Sequence, residues 1–297
     1  MKKFYIAFAA LLICFGAISF GQKPINLKFN LPKGQGFDYN MNMNVTTTGK
    51  AGGQDINVKN GMTFGYRFEV IDDSSSWKKI QATISKIAMN ISAGGQNINY
   101  NSDQPVDTSD VVNSTFAQVM DALKGAQFEF IMNTNGKVGY VSGINEMVQK
   151  MKDKAPSDDM ASGMAGAFDE ESFKQNLQQA FGLYPGKPVK PGDTWKSTTS
   201  TMSSGIELKM DNVYTLQSVS GNIANVKVNS KISSPSSDSV TITNMSGSYS
   251  GTMQFDIPTG IPSRGDVDMI LNINVNAGGQ SIPMKTDVKM TITGKKY

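Results

Sequence analysis

The chain has 297 residues, 28 of them Lys or Arg and 25 Asp or Glu, for a net charge of +3, with one cysteine and no histidine. So even a balance provides neither a basic patch for nucleic acid nor an acidic tail. The lone cysteine, Cys14, lies in a leader that export would remove, so Cys/His zinc sites, cysteine nucleophiles, Ser-His-Asp triads and imidazole acid–base catalysis are excluded, and no disulfide can staple the fold.

Lys2 and Lys3 precede an apolar run from Ile6 to Phe15, and Ser19-Phe20-Gly21 places small residues where a signal peptidase reads them. Residues 1–21 are therefore expected to be a signal peptide cleaved before Gln22. The run is shorter than the roughly 20 residues a spanning helix needs, and no later stretch reaches that length. The expectation is an exported chain, periplasmic or extracellular, with no transmembrane span. Lipid anchoring at Cys14 would want a small residue where Ile13 stands.

After a short extended segment (Ile25, Leu27, Phe29, Leu31), apolar residues alternate on odd positions through Phe37, Tyr39, Met41, Met43 and Val45, then on even positions from Ile56 to Val70. This predicts a hairpin of two long strands, each with one buried face, joined by Gly49-Lys50-Ala51-Gly52-Gly53. A third strand runs from Trp77 to Ile91, with a parity slip between Ile84 and Ile87 that predicts a bulge. A second Ala-Gly-Gly-Gln turn follows at 93–96. Val112, Phe116, Val119, Met120 and Leu123 then share a helical face, with Thr108 or Ser109 as N-cap and Gly125 past the end. Phe128, Phe130 and Met132 return to strand.

The middle of the chain reads as helical. One stripe is Ile144, Met147, Val148 and Met151, a second is Phe173, Leu177, Ala180 and Phe181, and a surface loop is expected at 155–167 between them. Pro185 to Asp193 is a proline-spaced extended connector ending at Trp195. Beyond it the opening logic repeats. Phe68 to Ala82 lies over Tyr214 to Val228 with apolar parity kept, and Phe130-Ile-Met132 matches Phe255-Asp-Ile257. The closing hairpin alternates through Val267, Met269, Leu271, Ile273 and Val275, turns at a third Ala-Gly-Gly-Gln, and returns through Ile282, Met284, Val288, Met290 and Ile292.

The fold expected is mainly β with minor α: antiparallel β-meander sheets or a curved half-barrel built from two related halves, with a helical insert packed on the sheet. Its divisions are residues 1–21 (signal peptide), 22–142 (first β half with one helix), 143–192 (helical insert and connector) and 193–297 (second β half).

Candidate chemistry is sparse. Met41 and Met43 have a spacing used by copper(I) thioether sites, but core filling explains them sufficiently, and no metal or other cofactor is assigned. Asp72-Asp73, Asp158-Asp159 and Asp169-Glu170-Glu171 have turn, loop or helix-start roles. Asp266 and Asp268 lack a Ca²⁺-loop spacing, and Arg264-Gly265-Asp266 reads as a plain turn between strands.

Pro188-Val-Lys-Pro-Gly-Asp-Thr-Trp195, with Asn133-Thr-Asn-Gly-Lys-Val138 and a leader leaving Gln22 first, resembles a family of exported Bacteroidota proteins of about this length known as a domain of unknown function. The resemblance covers nearly the whole chain after the leader and implies location and architecture; it carries over no catalytic residue. A looser architectural similarity is to periplasmic lipoprotein carriers, whose curved sheet is plugged by helices over a greasy cavity.

The functional expectation is therefore a non-enzymatic exported envelope protein with an apolar ligand, such as a lipid, held between sheet and helices. Met41, Met43, Phe64, Phe68, Met269 and Met284 are the expected lining. The alternative is a structural or interaction module with a closed core. A carboxylate-based hydrolase is the third reading.

Overall fold

The computed structural model describes residues 23–297 except 75, 94–95, 107–109, 156, 158–168, 204–205, 235–241 and 278–279. The expected signal peptide, Cys14, Asp158-Asp159, Thr108, Ser109 and most of the expected 155–167 loop lie outside the described residues.

Twelve strands form one antiparallel sheet in the order β6-β5-β3-β2-β1-β12-β11-β10-β9-β8-β7, with short β4 paired to the far end of β3. They are β1 Gly36–Ala51, β2 Gln54–Asp73, β3 Trp77–Ala93, β4 Gln96–Asn101, β5 Gln127–Asn133, β6 Val138–Ser142, β7 Thr194–Ser203, β8 Ile206–Ser220, β9 Ile223–Ser233, β10 Ile242–Asp256, β11 Pro262–Ala277 and β12 Gln280–Lys296. The helices among the described residues are α1 Val111–Asp121, α2 Ile144–Lys152 and α3 Glu170–Phe181. β1 and β12 pair along thirteen positions, from Phe37↔Lys296 to Gly49↔Met284, so the two meanders meet at the middle of a single continuous sheet. The sheet does not close: β6 and β7 are its edges.

The opening hairpin is tighter than its glycines suggested. Ala51 pairs with Gln54, leaving Gly52 and Gly53 alone in the turn, both at positive φ as a two-residue hairpin of this hand requires. The bulge in β3 is present: Gly65 faces Lys86 and Tyr66 faces Ile84, so Ser85 is the extra residue. α1 is capped by Asp110, whose carboxylate accepts from the N–H groups of Val112 and Asn113. Its apolar face is shorter than expected, because Val112 stands exposed while Val119, Met120 and Leu123 are buried. All four residues of the α2 stripe are buried.

The first repeated block keeps its register. Phe68 pairs with Ala82 and Tyr214 with Val228, Val70 with Ile80 and Leu216 with Val226, and each strand pair then bulges, at Ile71 and at Gln217. The second block is displaced: Phe130 pairs with Ile80, but Phe255 pairs with Ala224, two residues from the position occupied by Met253.

One end of the sheet is plugged. Ile25 bridges Val189, Phe29 donates its N–H to the Thr134 carbonyl and Asn30 to that of Thr259, and Leu27, Phe29 and Leu31 are fully buried. This segment thus crosses between the β5–β6 and β10–β11 turns as a stopper. The Tyr184 hydroxyl donates to the Gly260 carbonyl and the Trp195 indole N–H to that of Leu183, tying the proline-rich connector into the same plug. Arg264 and Asp266 lie within β11, not in a turn, and pair with each other at 2.9 Å. No helix among the described residues is long and apolar enough to cross a membrane.

Candidate functional site

An apolar cavity of about 420 Å³ lies on the inner face of the sheet, within the size range of ligand cavities. Alternation builds its wall: Tyr39, Met41 and Met43 of β1, Phe64, Tyr66 and Phe68 of β2, Met253 of β10, Val267 and Met269 of β11, and Val288, Met290 and Ile292 of β12. Register sets them in rows, such as Phe64–Met41–Ile292, so alternate residues of neighbouring strands point the same way.

α3 supplies the remaining side. It spans the open gap, holding β6 through Gln178 and reaching the β7–β8 side through two contacts, Thr201 Oγ1 to Asn176 Oδ1 at 2.9 Å and Gln179 Nε2 to the Met210 sulfur at 3.4 Å. The insert therefore bridges the two edges rather than lying flat on the sheet. Asp169 caps α3 by accepting from the Ser172 N–H, and the Ser172 hydroxyl holds its carboxylate below the usual range. At the other end Phe181 packs among Phe37, Tyr39, Phe68 and Phe130, with ring centroids 5.5 to 6.4 Å apart. Phe173 meets Phe128 edge-on at 5.4 Å and faces the cavity.

Of the six residues named from sequence, the structure brings Met41, Met43, Phe64, Phe68 and Met269 together on this wall. Met284 is not with them. It shares their face but pairs with Gly49 and Ile273 near the hairpin tips, four residues beyond Val288, or about 13 Å along an extended strand. The long strands overrun the helix-covered part of the cup, so alternation alone could not say where the wall ends. Leu271 and Ile273 lie beyond the wall and Phe64 and Met290 border its empty space, so all four, apolar by pattern, are only half-buried, whereas Phe68 and Val70 are fully buried.

No Asp, Glu, Lys or Arg lines the cavity among the described residues. Burial raises Tyr66 to about 12 and Tyr39 further, so both phenols stay neutral at physiological pH. Three of the acidic residues singled out in the sequence are engaged elsewhere: Asp73 with Lys78 at 2.8 Å, Asp72 with Lys33, Glu171 with Lys174. No group of three His, Cys, Asp or Glu able to hold a metal is found among the described residues. The site can exclude water and bind apolar matter, and it presents no nucleophile–base pair.

The sequence profile of a family of unknown function, DUF6263, matches residues 75–262, from the start of β3 to the start of β11 and including α3. The chain belongs to that family. No curated protein matches the sequence. Among solved structures, that of lipid–protein interactions in lipovitellin is similar, with 9% identity over 90% of this chain and a TM-score of 0.50. The DUF6263 chain spans 25% of the lipovitellin chain, and the likeness is one of fold. The Salmonella typhi OmpF complex with daunomycin (7% identity, 91% of this chain and 100% of that one, TM-score 0.24) and Pseudomonas aeruginosa OccK8 (5%, 88% and 98%, TM-score 0.18) score too low to carry an argument.

Sequence reading missed a buried polar pair on β8 and β9, next in register to Tyr249 of the wall. The inward run Leu208, Met210, Asn212, Tyr214, Leu216 in β8 and the run Val226, Val228, Ser230, Ile232 in β9 each place one polar residue in an apolar series. Asn212 and Ser230 are directly paired. That break in parity was the available signal.

Proposed function

We propose that this DUF6263 protein is an exported, non-enzymatic binding protein that holds an apolar ligand, such as a lipid, in the cup between its sheet and α3. The observation that carries the reading is the uncharged wall of aromatic and methionine side chains around about 420 Å³. Methionine suits this use because its unbranched, polarizable side chain adapts to chains of different shape. The fold shared with lipovitellin, a protein whose structure concerns lipid–protein interactions, supports the same direction. The cavity favours this reading over an interaction module with a closed core, and the lack of any described carboxylate on its wall favours it over a hydrolase.

Native mass spectrometry of protein purified from its own cells tests the proposal. A co-purifying lipid should appear as added mass, be recovered chemically unchanged, and be lost in Met269→Lys, which puts an unpaired charge into the wall. Ligand-free protein that also fails to take up a neutral alkyl probe would overturn it.

A further inference from the structure

Among the described residues, five polar side chains line the cavity: Tyr39, Tyr66, Tyr249, Asn176 and Gln179. Three of them are already engaged. Tyr249 shares a hydrogen bond with Tyr214, Asn176 Oδ1 accepts from the Thr201 hydroxyl, and Gln179 Nε2 donates to the Met210 sulfur. Tyr39 and Tyr66 have no hydrogen-bond partner among the described residues, although Tyr39 is only 6% exposed.

Other phenols packed into this protein do find partners: Tyr184 donates to the Gly260 carbonyl at 2.8 Å and Tyr100 to Asp121 Oδ1 at 2.6 Å. A phenol withdrawn from water without a partner forfeits a hydrogen bond, so native interiors rarely leave one bare. The oxygens of Tyr39 and Tyr66 are not sealed into the core as unpartnered atoms, and both side chains border the cavity, so a molecule filling the cavity can reach them.

The two phenols also act together. They are register partners on β1 and β2, and Tyr39 is raised by burial first and then by the nearness of Tyr66. Phe68 holds both rings, stacking on Tyr66 at 5.7 Å and meeting Tyr39 edge-on at 6.1 Å. The next inward pair on the plug side is Phe37 and Phe68, and the next toward the hairpin tips is Met41 and Phe64, so two fixed hydroxyls interrupt an otherwise apolar run. Each neutral phenol offers one O–H donor. With no Lys or Arg on the wall among the described residues, a carboxylate or phosphate placed there would be buried without a counter-charge.

We infer that Tyr39 and Tyr66 hold a neutral hydrogen-bond acceptor of the ligand, an ester or ketone carbonyl whose two lone pairs match the two donors, with the hydrocarbon running along Met41, Met43 and Met269. The inference rests on the proposed binding function and narrows the ligand to neutral esters and ketones of long alkyl chains.

Displacement of a neutral fluorescent alkyl probe by methyl palmitate, heptadecane and palmitate separates the cases, since the three are close in chain length and differ at the carbonyl end. Methyl palmitate should displace the probe at about tenfold lower concentration than heptadecane, and palmitate, charged at neutral pH, should be weaker than the ester. The double variant Tyr39→Phe with Tyr66→Phe removes both hydroxyls and keeps both rings. It should bring the ratio between ester and alkane towards one and melt no lower than the wild type, because no partner within the protein is lost. Equal displacement by ester and alkane in the wild type, a ratio unchanged in the double variant, or a preference for palmitate would overturn the inference while leaving the apolar cavity in use. A lowered melting temperature would also overturn it, by showing that the hydroxyls serve the fold. Failure of the wild-type protein to bind the probe at all would remove the binding function and this inference with it.

Discussion

Gln178 Oε1 accepts the backbone N–H of Val138 at 2.9 Å, a contact between α3 and the edge strand β6 across 40 residues of sequence. The same side chain donates through Nε2 to the Gly136 carbonyl at 3.2 Å, so one glutamine satisfies a backbone N–H of the edge strand and a carbonyl of the turn before it. An open sheet edge invites pairing with other chains, and here a helix covers it. Gln178→Ala should lower stability by about 1–3 kcal/mol in denaturant unfolding, because Val138 is buried and its N–H would lose its partner. Raised self-association in light scattering would follow from the uncovered edge. An unchanged midpoint would show that the helix does not hold β6.

The two phenylalanines at either end of α3 should behave differently. Phe181 is 2% exposed and touches four aromatic rings, so Phe181→Ala is expected to cost about 3–5 kcal/mol. Phe173 is half-buried and borders space that already exists, so its truncation should cost less than about 2 kcal/mol and enlarge the cavity. Chemical denaturation of both variants reads this directly, and equal losses would contradict it. Hydrogen exchange should likewise be slower near Phe181 than near Phe173.

Gly260 turns at φ +73°, and a Cβ there would sit 2.0 Å from the Lys28 carbonyl oxygen. Gly260→Ala must strain its own backbone and push the Leu27–Leu31 stopper away, for a loss of at least about 1–3 kcal/mol. Gly52→Ala, at positive φ but with open space around it, should cost less. A melting comparison of the two variants checks the order.

Alkali should unfold the protein through its buried phenols. Tyr66 is raised by burial from 10.0 to about 12, and Tyr39 and Tyr184 are raised further by the same cause. Between these values the unfolded chain has released protons that the folded chain retains, so the unfolded state binds fewer and stability falls as pH rises. The contribution is intact below pH 10, and its loss should begin there and continue through about pH 12. Tyrosinate absorbance followed together with circular dichroism should rise as structure is lost. Full ionisation of all tyrosines at their ordinary value with the fold intact would be inconsistent with this burial.

If residues 1–21 are a cleaved signal, N-terminal sequencing of the protein recovered from cells should begin at Gln22, without an acyl group. An acylated Cys14 would replace this with lipid anchoring at the membrane surface.

Sequence by itself determined the strands and their inner faces, because period-two alternation is a property of single segments: Phe37 to Val45, Ile56 to Val70 and Val267 to Ile292 needed no partner to be read. It also determined which chemistries are absent, since no fold can supply a missing imidazole. The bulge at Ser85 and the α2 stripe were legible for the same local reason. What only the tertiary structure decided were matters of contact between distant segments. The Leu27–Leu31 stretch looks like a strand but is a stopper, because it is captured by the Thr134 and Thr259 carbonyls rather than by a ladder. α3 bridges two edges because β6 and β7, far apart in sequence, end on either side of one gap. Met284 carries the same pattern as Met269 yet misses the cavity, because periodicity gives the face of a strand and not the height at which a helix stops covering it. Asn212 and Ser230 broke the apolar parity of their strands in plain view. Only their register turned two isolated exceptions into one buried polar pair beside Tyr249 of the cavity wall.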